Sequence, residues 1–164
     1  MKNKMKLKIF ILLSLISLNS FSQKSFPTNT DGKLVDTINS YKTKNKIKEL
    51  EGKFFSFDAK IIETHKAHQN KPYYLVEFEN GNKIWIASLI KSGYEKEGSV
   101  LRILGILSQV AEDDEIANKY NKTKYHILLF ALVDLESKKA SMLPAAEEQG
   151  KEWMNGKIPD NLSN

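Results

Sequence analysis

Two histidines in a polar segment are the first residues that could do chemistry. His65 and His68 lie three residues apart in the stretch His65 to Pro72. Two imidazoles can share a metal ion, but no third ligand is identifiable in the sequence. Loop histidines that bind nothing are the commoner case, so we assign no metal and no cofactor. A metal-dependent enzyme that uses this pair is kept as the third function to test.

A run of four acidic residues, Glu112 to Glu115, is the second candidate. Calcium loops place their carboxylates at alternate positions around a glycine turn, and this run is contiguous and has no glycine. Acidic residues suit the first turn of a helix, so a short helix is predicted within residues 111–124. The sequence contains no Gly-x-Ser-x-Gly, no phosphate-binding glycine loop, no His-Glu-x-x-His and no cysteine. No catalytic residue is therefore predicted, and the chain is read as a protein that is not an enzyme.

Aromatic side chains on two neighbouring segments are the third candidate. If the alternate residues Tyr74, Val76, Phe78, Ile84 and Ile86 face a core, their neighbours must face outward. The outward set, together with the two loop histidines, gives the candidate ligand-binding residues: Tyr73, Leu75, Lys83, Trp85, His65 and His68. Outward rings could stack on bases or sugars. The alternative, which we prefer, is that the N-terminal helix or the C-terminal tail covers this face and makes Trp85 part of the core.

The elements that must position these residues follow from periodicity. Alternating or apolar runs predict five strands. They cover Lys53 to Thr64, Tyr73 to Glu79, Lys83 to Ser88, Ser99 to Val110 and Tyr125 to Leu135. Asn80-Gly81-Asn82 predicts a tight hairpin turn, and Gly105 predicts a bulge or bend.

Helices are predicted on both sides of the strands. An imperfect apolar stripe predicts one over Leu34 to Glu51, in which Lys42, Lys44, Lys46 and Lys48 form a solvated face. One helical turn is expected between Leu89 and Gly98, and a short helix over Ala145 to Trp153.

The segments from Gly52 to Leu135 resemble an OB-fold barrel. The strand, hairpin and Glu97 to Gly105 pattern (Glu-Gly-x-Val-x-x-x-Gly) is similar to the anticodon-binding type of OB domain, and also to exported bacterial OB-fold proteins. The resemblance implies a mainly β fold: a five-stranded OB-like barrel with an N-terminal helix and a short helical C-terminal tail. It also implies ligand binding on strands two and three, between the loops 65–72 and 111–124.

The N-terminus resembles a secretory signal peptide. Four lysines precede the ten-residue apolar run Ile9 to Leu18, and small residues lead to a cleavage site near Ser22-Gln23. The run is shorter than the roughly 20 residues that a spanning helix needs. The chain is therefore predicted to be exported by a bacterium, periplasmic or extracellular, with no membrane span after cleavage. Zero cysteines exclude a lipid-anchored lipoprotein.

Removing the leader changes the charge balance. The chain has 25 basic and 20 acidic residues, and four of the lysines lie in the leader, so the mature chain carries 21 basic against 20 acidic residues. Most of the hint of a nucleic-acid partner then disappears. The predicted organisation is a signal peptide (1–22), an arm and helix (23–51), a barrel (52–135) and a tail packing on or near it (136–164).

Three functions follow from these observations. The first is a non-catalytic binding or interaction module for a peptide, a glycan or a partner protein. The second is stacking of a nucleic acid or oligosaccharide on Tyr73 and Trp85, which Glu77, Glu79 and the acidic loop disfavour for a phosphate backbone. The third is the metal-dependent enzyme.

Overall fold

The computed structural model describes residues 26–30 and 32–160. The predicted signal peptide, Met1 to Ser22, lies outside these residues. Within the described ranges, no helix has the length and apolar character needed to cross a membrane.

Five strands form a closed barrel. They are β1 (Phe54–Lys66), β2 (Pro72–Glu77), β3 (Lys83–Ser88), β4 (Val100–Gln109) and β5 (Tyr125–Asp134). Antiparallel ladders join β1 to β2 and β4, β2 to β3, and β4 to β5, and a parallel ladder between β3 and β5 closes the ring. This five-stranded order is OB-like, so the predicted fold class is confirmed.

Alternation along β2 and β3 builds the barrel core as the sequence predicts. Tyr74, Val76 and Ile86 are buried in the interior, whereas Tyr73 and Trp85 belong to a separate cluster outside the barrel. The hairpin between the two strands closes at Gly81, whose φ of 81° is readily adopted by glycine. The face assignment of these strands therefore follows from the pattern of two.

Gly105 lies at an irregularity between β4 and β5, in agreement with the predicted bulge. The register between the two strands shifts between Leu104 and Gly105. A Cβ at this position would lie 2.4 Å from the Ile127 side chain and 2.6 Å from the carbonyl oxygen of Leu128. The close approach of β5 therefore requires glycine.

The N-terminal helix is shorter than predicted. Helix α1 (Leu34–Thr43) ends before a turn in which Asn45 has a φ of 55°, and a 3₁₀ turn (Ile47–Glu49) follows. The Lys46 amide donates to the Tyr41 carbonyl oxygen, so the turn satisfies a carbonyl that a longer helix would have used. Leu34 and Ile38 pack into the barrel core, together with Leu50 beyond the turn.

The connection between β3 and β4 contains no helical turn, so that prediction is wrong. Side chains hold it in an irregular path instead: the Glu95 carboxylate accepts from the Ser92 and Gly93 amides. Ser88 bonds to Ile90, which is buried in the barrel core. Local side-chain hydrogen bonds therefore replace the helical ones.

The C-terminal segment covers a second outer face of the barrel. β6 (Ala140–Met142) pairs with β5, and helix α3 (Glu147–Met154) follows a 3₁₀ turn at Pro144–Ala146. Trp153 is fully buried, and its indole N–H donates to the Pro27 carbonyl oxygen and the Ser56 hydroxyl. Phe26 packs edge-on against the Trp153 ring. The short N-terminal arm and the tail thereby share one apolar cluster.

Candidate binding site

The outward rings of β2 and β3 form an aromatic cluster with rings from β1, β5 and the connection between β4 and β5. Its members are His65, Tyr73, Trp85, Tyr120 and His126. The rings of Tyr73 and Trp85 are stacked with centroids 4.8 Å apart and planes 8° apart. The rings of His65 and Tyr120 are stacked at 3.9 Å. Three of the predicted site residues, His65, Tyr73 and Trp85, therefore lie together, but their rings pack on one another.

The connection between β4 and β5 covers this cluster. Its short helix α2 (Glu115–Tyr120) begins at Asp114, whose carboxylate accepts from the Ala117 amide at 2.9 Å. Ala117 and Tyr120 pack over Tyr73 and Trp85. Trp85 is only 9 % exposed and Tyr73 is fully buried. Trp85 is thus buried, but the covering element is α2 and not the expected N-terminal helix or tail.

Asn121 anchors the end of α2, the helix that covers the aromatic cluster. Its side-chain amide donates to the Tyr73 hydroxyl at 3.0 Å and to the Tyr125 carbonyl oxygen at 2.7 Å. Its carbonyl oxygen accepts from the amide and hydroxyl of Thr123. The burial of Tyr73 raises the pKa of its hydroxyl above the usual range, and the Asn121 hydrogen bond partly offsets this rise. Sequence reasoning missed this role; the available signal was Asn121-Lys122-Thr123, since Asn and Thr favour such side-chain turns.

His126 lies beneath the same cover, edge-on to Tyr73 at 5.8 Å. Among the described residues its Nδ1 atom has no hydrogen-bond partner, and the side chain is 8 % exposed. Burial lowers the pKa of His126 to about 4, against a small opposing effect of Asp114. The imidazole is therefore neutral at pH 7.

Of the two loop histidines, the structure describes the side chain of His65. His65 Nε2 contacts a carboxylate oxygen of Glu63, and its ring lies on Tyr120. His68 belongs to a 3₁₀ turn, His68–Asn70. Across residues 26–30 and 32–160, no group of three or more His, Asp or Glu side chains could hold a metal ion.

An open groove of about 280 Å³ lies beside the aromatic cluster. Its walls come from α1, β2, β3 and the segment that leads into β5. The apolar floor includes Leu75, Trp85 and Tyr120, and Val35 and Ile38 of α1 face them. Two further predicted site residues, Leu75 and Lys83, therefore line a cavity together with Trp85.

Three lysines line the groove: Lys42, Lys83 and Lys122. Lys42 Nζ donates to the Thr123 carbonyl oxygen at 2.7 Å and lies over the Tyr125 ring, and burial lowers its pKa. Lys83 pairs with Glu77 at 3.4 Å. No acidic side chain is among the lining residues. Sequence analysis treated Lys42 as part of a solvated face, where Lys44, Lys46 and Lys48 indeed lie exposed, and did not single out Lys122.

No protein family model matches the chain, and comparison with curated proteins yields no significant match. Among solved structures, a chain from the structure of a replication protein A heterotrimer bound to ssDNA is similar, with a TM-score of 0.35 and 11% identity. The match covers 58% of this chain and 62% of that chain, so less than two thirds of that chain is represented. The OB-like character of the barrel rests on its strand order.

Proposed function

We propose that the protein is a non-catalytic binding module, exported through its N-terminal leader, that holds a segment of a partner protein in the groove between α1 and β3. The observation that carries the proposal is the open groove with its apolar floor, whereas the neighbouring Tyr73 ring is fully buried beneath α2.

The same contrast weighs against stacking of bases or sugars on Tyr73 and Trp85. A base or sugar that stacks on a protein needs at least one accessible face of an aromatic ring. Tyr73 is fully buried and its ring is stacked on Trp85. An anticodon-binding role, which the sequence pattern resembles, would need these rings to be accessible.

Selection of peptides from a random displayed library against the purified protein tests the binding proposal. The discriminating variant is Asn39→Trp, which places an indole in the groove from an exposed lining position of α1. Ser40→Trp is the matched control, since it is exposed on the same helix but does not line the groove. We expect selected peptides to bind the protein and Ser40→Trp equally, and Asn39→Trp at least tenfold more weakly. Binders that ignore Asn39→Trp, or a selection without binders, would overturn the proposal.

Export has its own test. The N-terminal sequence of the protein recovered from the periplasm or medium of an expressing bacterium should begin near Gln23. Recovery of uncleaved chain from the cytoplasm alone would contradict this part of the proposal.

A further inference from the structure

The groove runs along the edge of β3 and not across the face of the sheet. Three consecutive residues, Lys83, Ile84 and Trp85, all line it. Side chains on one strand alternate between the two faces of a sheet, so a groove over one face would be lined by every second residue. Contact with all three residues in turn means that the groove follows the strand's edge.

The edge is open because β3 and β5 diverge there. The parallel ladder between them pairs Ile86 with Ile127 and extends only toward Ser88. Tyr125, at the start of β5, pairs with Gln109 of β4 on its other edge and lies outside the ladder to β3. Among the described residues, the Lys83–Trp85 half of β3 therefore has a sheet partner, β2, on one side only. An unpaired strand edge is a template for another strand.

The charges around the groove indicate which kind of peptide could bind at the β3 edge. Lys42, Lys83 and Lys122 line the groove, which has no lining carboxylate, and Glu77 pairs with Lys83 outside the lining. Lys122 is exposed, and no ion pair within the described residues involves it. Positive groups around an apolar floor complement a segment that carries carboxylates beside apolar side chains.

We propose that an extended acidic peptide segment of a partner protein adds to the open half of β3, at Lys83–Trp85, as an extra strand. Its main chain bonds to the strand edge, its apolar side chains contact Leu75 and Trp85, and its carboxylates interact with Lys42 and Lys122. Main-chain bonding supplies affinity and the side-chain pockets supply selectivity in this mode of recognition. The inference rests on the proposed function, whose site it uses.

The test uses three synthetic probes with the same leucines: acetyl-Glu-Leu-Glu-Leu-Glu-amide and its analogues with Gln or Lys in place of Glu. Binding to the isotope-labelled protein is followed by NMR titration at low and at physiological salt. We expect the acidic probe to shift the amide signals of Lys83–Trp85 and to bind roughly tenfold more tightly than the Gln probe. This advantage should shrink as salt rises, and the Lys probe should bind most weakly.

Two further arms test the mechanism. Lys122→Glu should weaken the acidic probe by roughly tenfold, whereas Lys139→Glu, an equal charge change on the exposed β5–β6 turn, should not. In an added strand, alternate main-chain amides point to the neighbouring strand. N-methylation of the two leucines and N-methylation of the inner glutamate should therefore differ, one weakening binding about tenfold and the other leaving it nearly unchanged.

The outcomes separate the two proposals. If the Gln probe binds as tightly as the acidic probe and Asn39→Trp abolishes both, the groove is a binding site but the acidic-strand inference is wrong. If both N-methylated probes bind normally, strand addition is wrong. If neither these probes nor any selected peptide binds the groove, the proposed function fails as well.

Discussion

Two tryptophans on the outside of the same barrel, Trp153 and Trp85, differ in how they are covered. Trp153 is fully buried under α3 and β6, with its indole N–H bonded to two acceptors. The apolar side chains of its cluster surround one buried hydroxyl, that of Ser56, and include Phe54 and Phe130, which meet edge to face at 5.3 Å. Trp85 is 9 % exposed, lies under the six-residue helix α2, and forms part of a groove wall.

The difference between these regions separates a face that the tail closes from the face where we propose that a partner binds. The Trp153 cluster is closed by a strand pairing and a helix, which is typical of a face that contributes to stability. The Trp85 cluster contains a buried histidine and an amide network and is closed by one short connection. Short connections with polar anchors are the elements from which binding sites are usually built.

The largest loss of stability is expected at the Trp153 cluster. Trp153→Ala should lower the free energy of unfolding by about 3–5 kcal/mol, because it removes a fully buried ring together with the indole N–H that donates to Pro27 and Ser56. Trp85→Ala should cost less, about 2 kcal/mol, because the groove already admits water beside that ring. Urea denaturation of both variants measures the difference. Equal losses would break the distinction between the two regions.

Between pH 6.5 and 4, the largest pH dependence of stability should arise at His126, on the Trp85 side. His126 has a pKa of about 4 in the folded protein, below the ordinary value near 6.5, so the unfolded chain binds more protons between these values. Stability is therefore highest above pH 6.5 and falls as the pH drops toward 4, by on the order of 2–3 kcal/mol. Denaturation curves across this range should be flatter for His126→Phe. An unchanged slope in that variant would contradict the assignment.

Removing the hydrogen bonds of the Asn121 side chain should lower the free energy of unfolding by a smaller amount. Asn121→Ala removes the amide that donates to the Tyr73 hydroxyl and leaves the Tyr125 carbonyl oxygen with the Thr123 hydroxyl as its remaining donor, which we expect to cost about 1–3 kcal/mol. Asn155→Ala, at an exposed position after α3, should change stability by less than about 0.5 kcal/mol. Thermal or urea unfolding compares the two; a neutral Asn121→Ala would show that the network does not hold the cover.

The smallest loss of stability is expected for a substitution in α2, the helix that covers Trp85. Tyr120→Ala removes the ring stacked on His65 and should cost about 1 kcal/mol. Hydrogen exchange of the two indole N–H signals, followed by NMR, provides an internal control. Exchange at Trp85 should accelerate while exchange at Trp153 stays the same. Parallel acceleration at both would mean that the variant loosens the whole barrel.

The sequence predicted the strands and their facing well because those features are local. The two-residue alternation from Tyr73 to Val76 determines which side chains lie on one face of the strand and which lie on the other. Asn80-Gly81 and Gly105 mark a turn and a bulge through the conformational freedom and small size of glycine. The overlong prediction for α1 failed because the apolar stripe continues through Ile47 and Leu50, whereas the chain turns at Asn45.

The sequence by itself thus determined a mainly β barrel with helices at both ends and an outward row that contains Tyr73, Leu75, Lys83 and Trp85. Only the tertiary structure decided which of these residues are accessible. The cover over Trp85 comes from α2, which lies 30 or more residues away in the chain, and the groove exists because β3 and β5 stop pairing before Ile86. Periodicity reports on which side of a strand a side chain lies, but coverage and strand divergence depend on contacts between distant segments, and no local pattern encodes them.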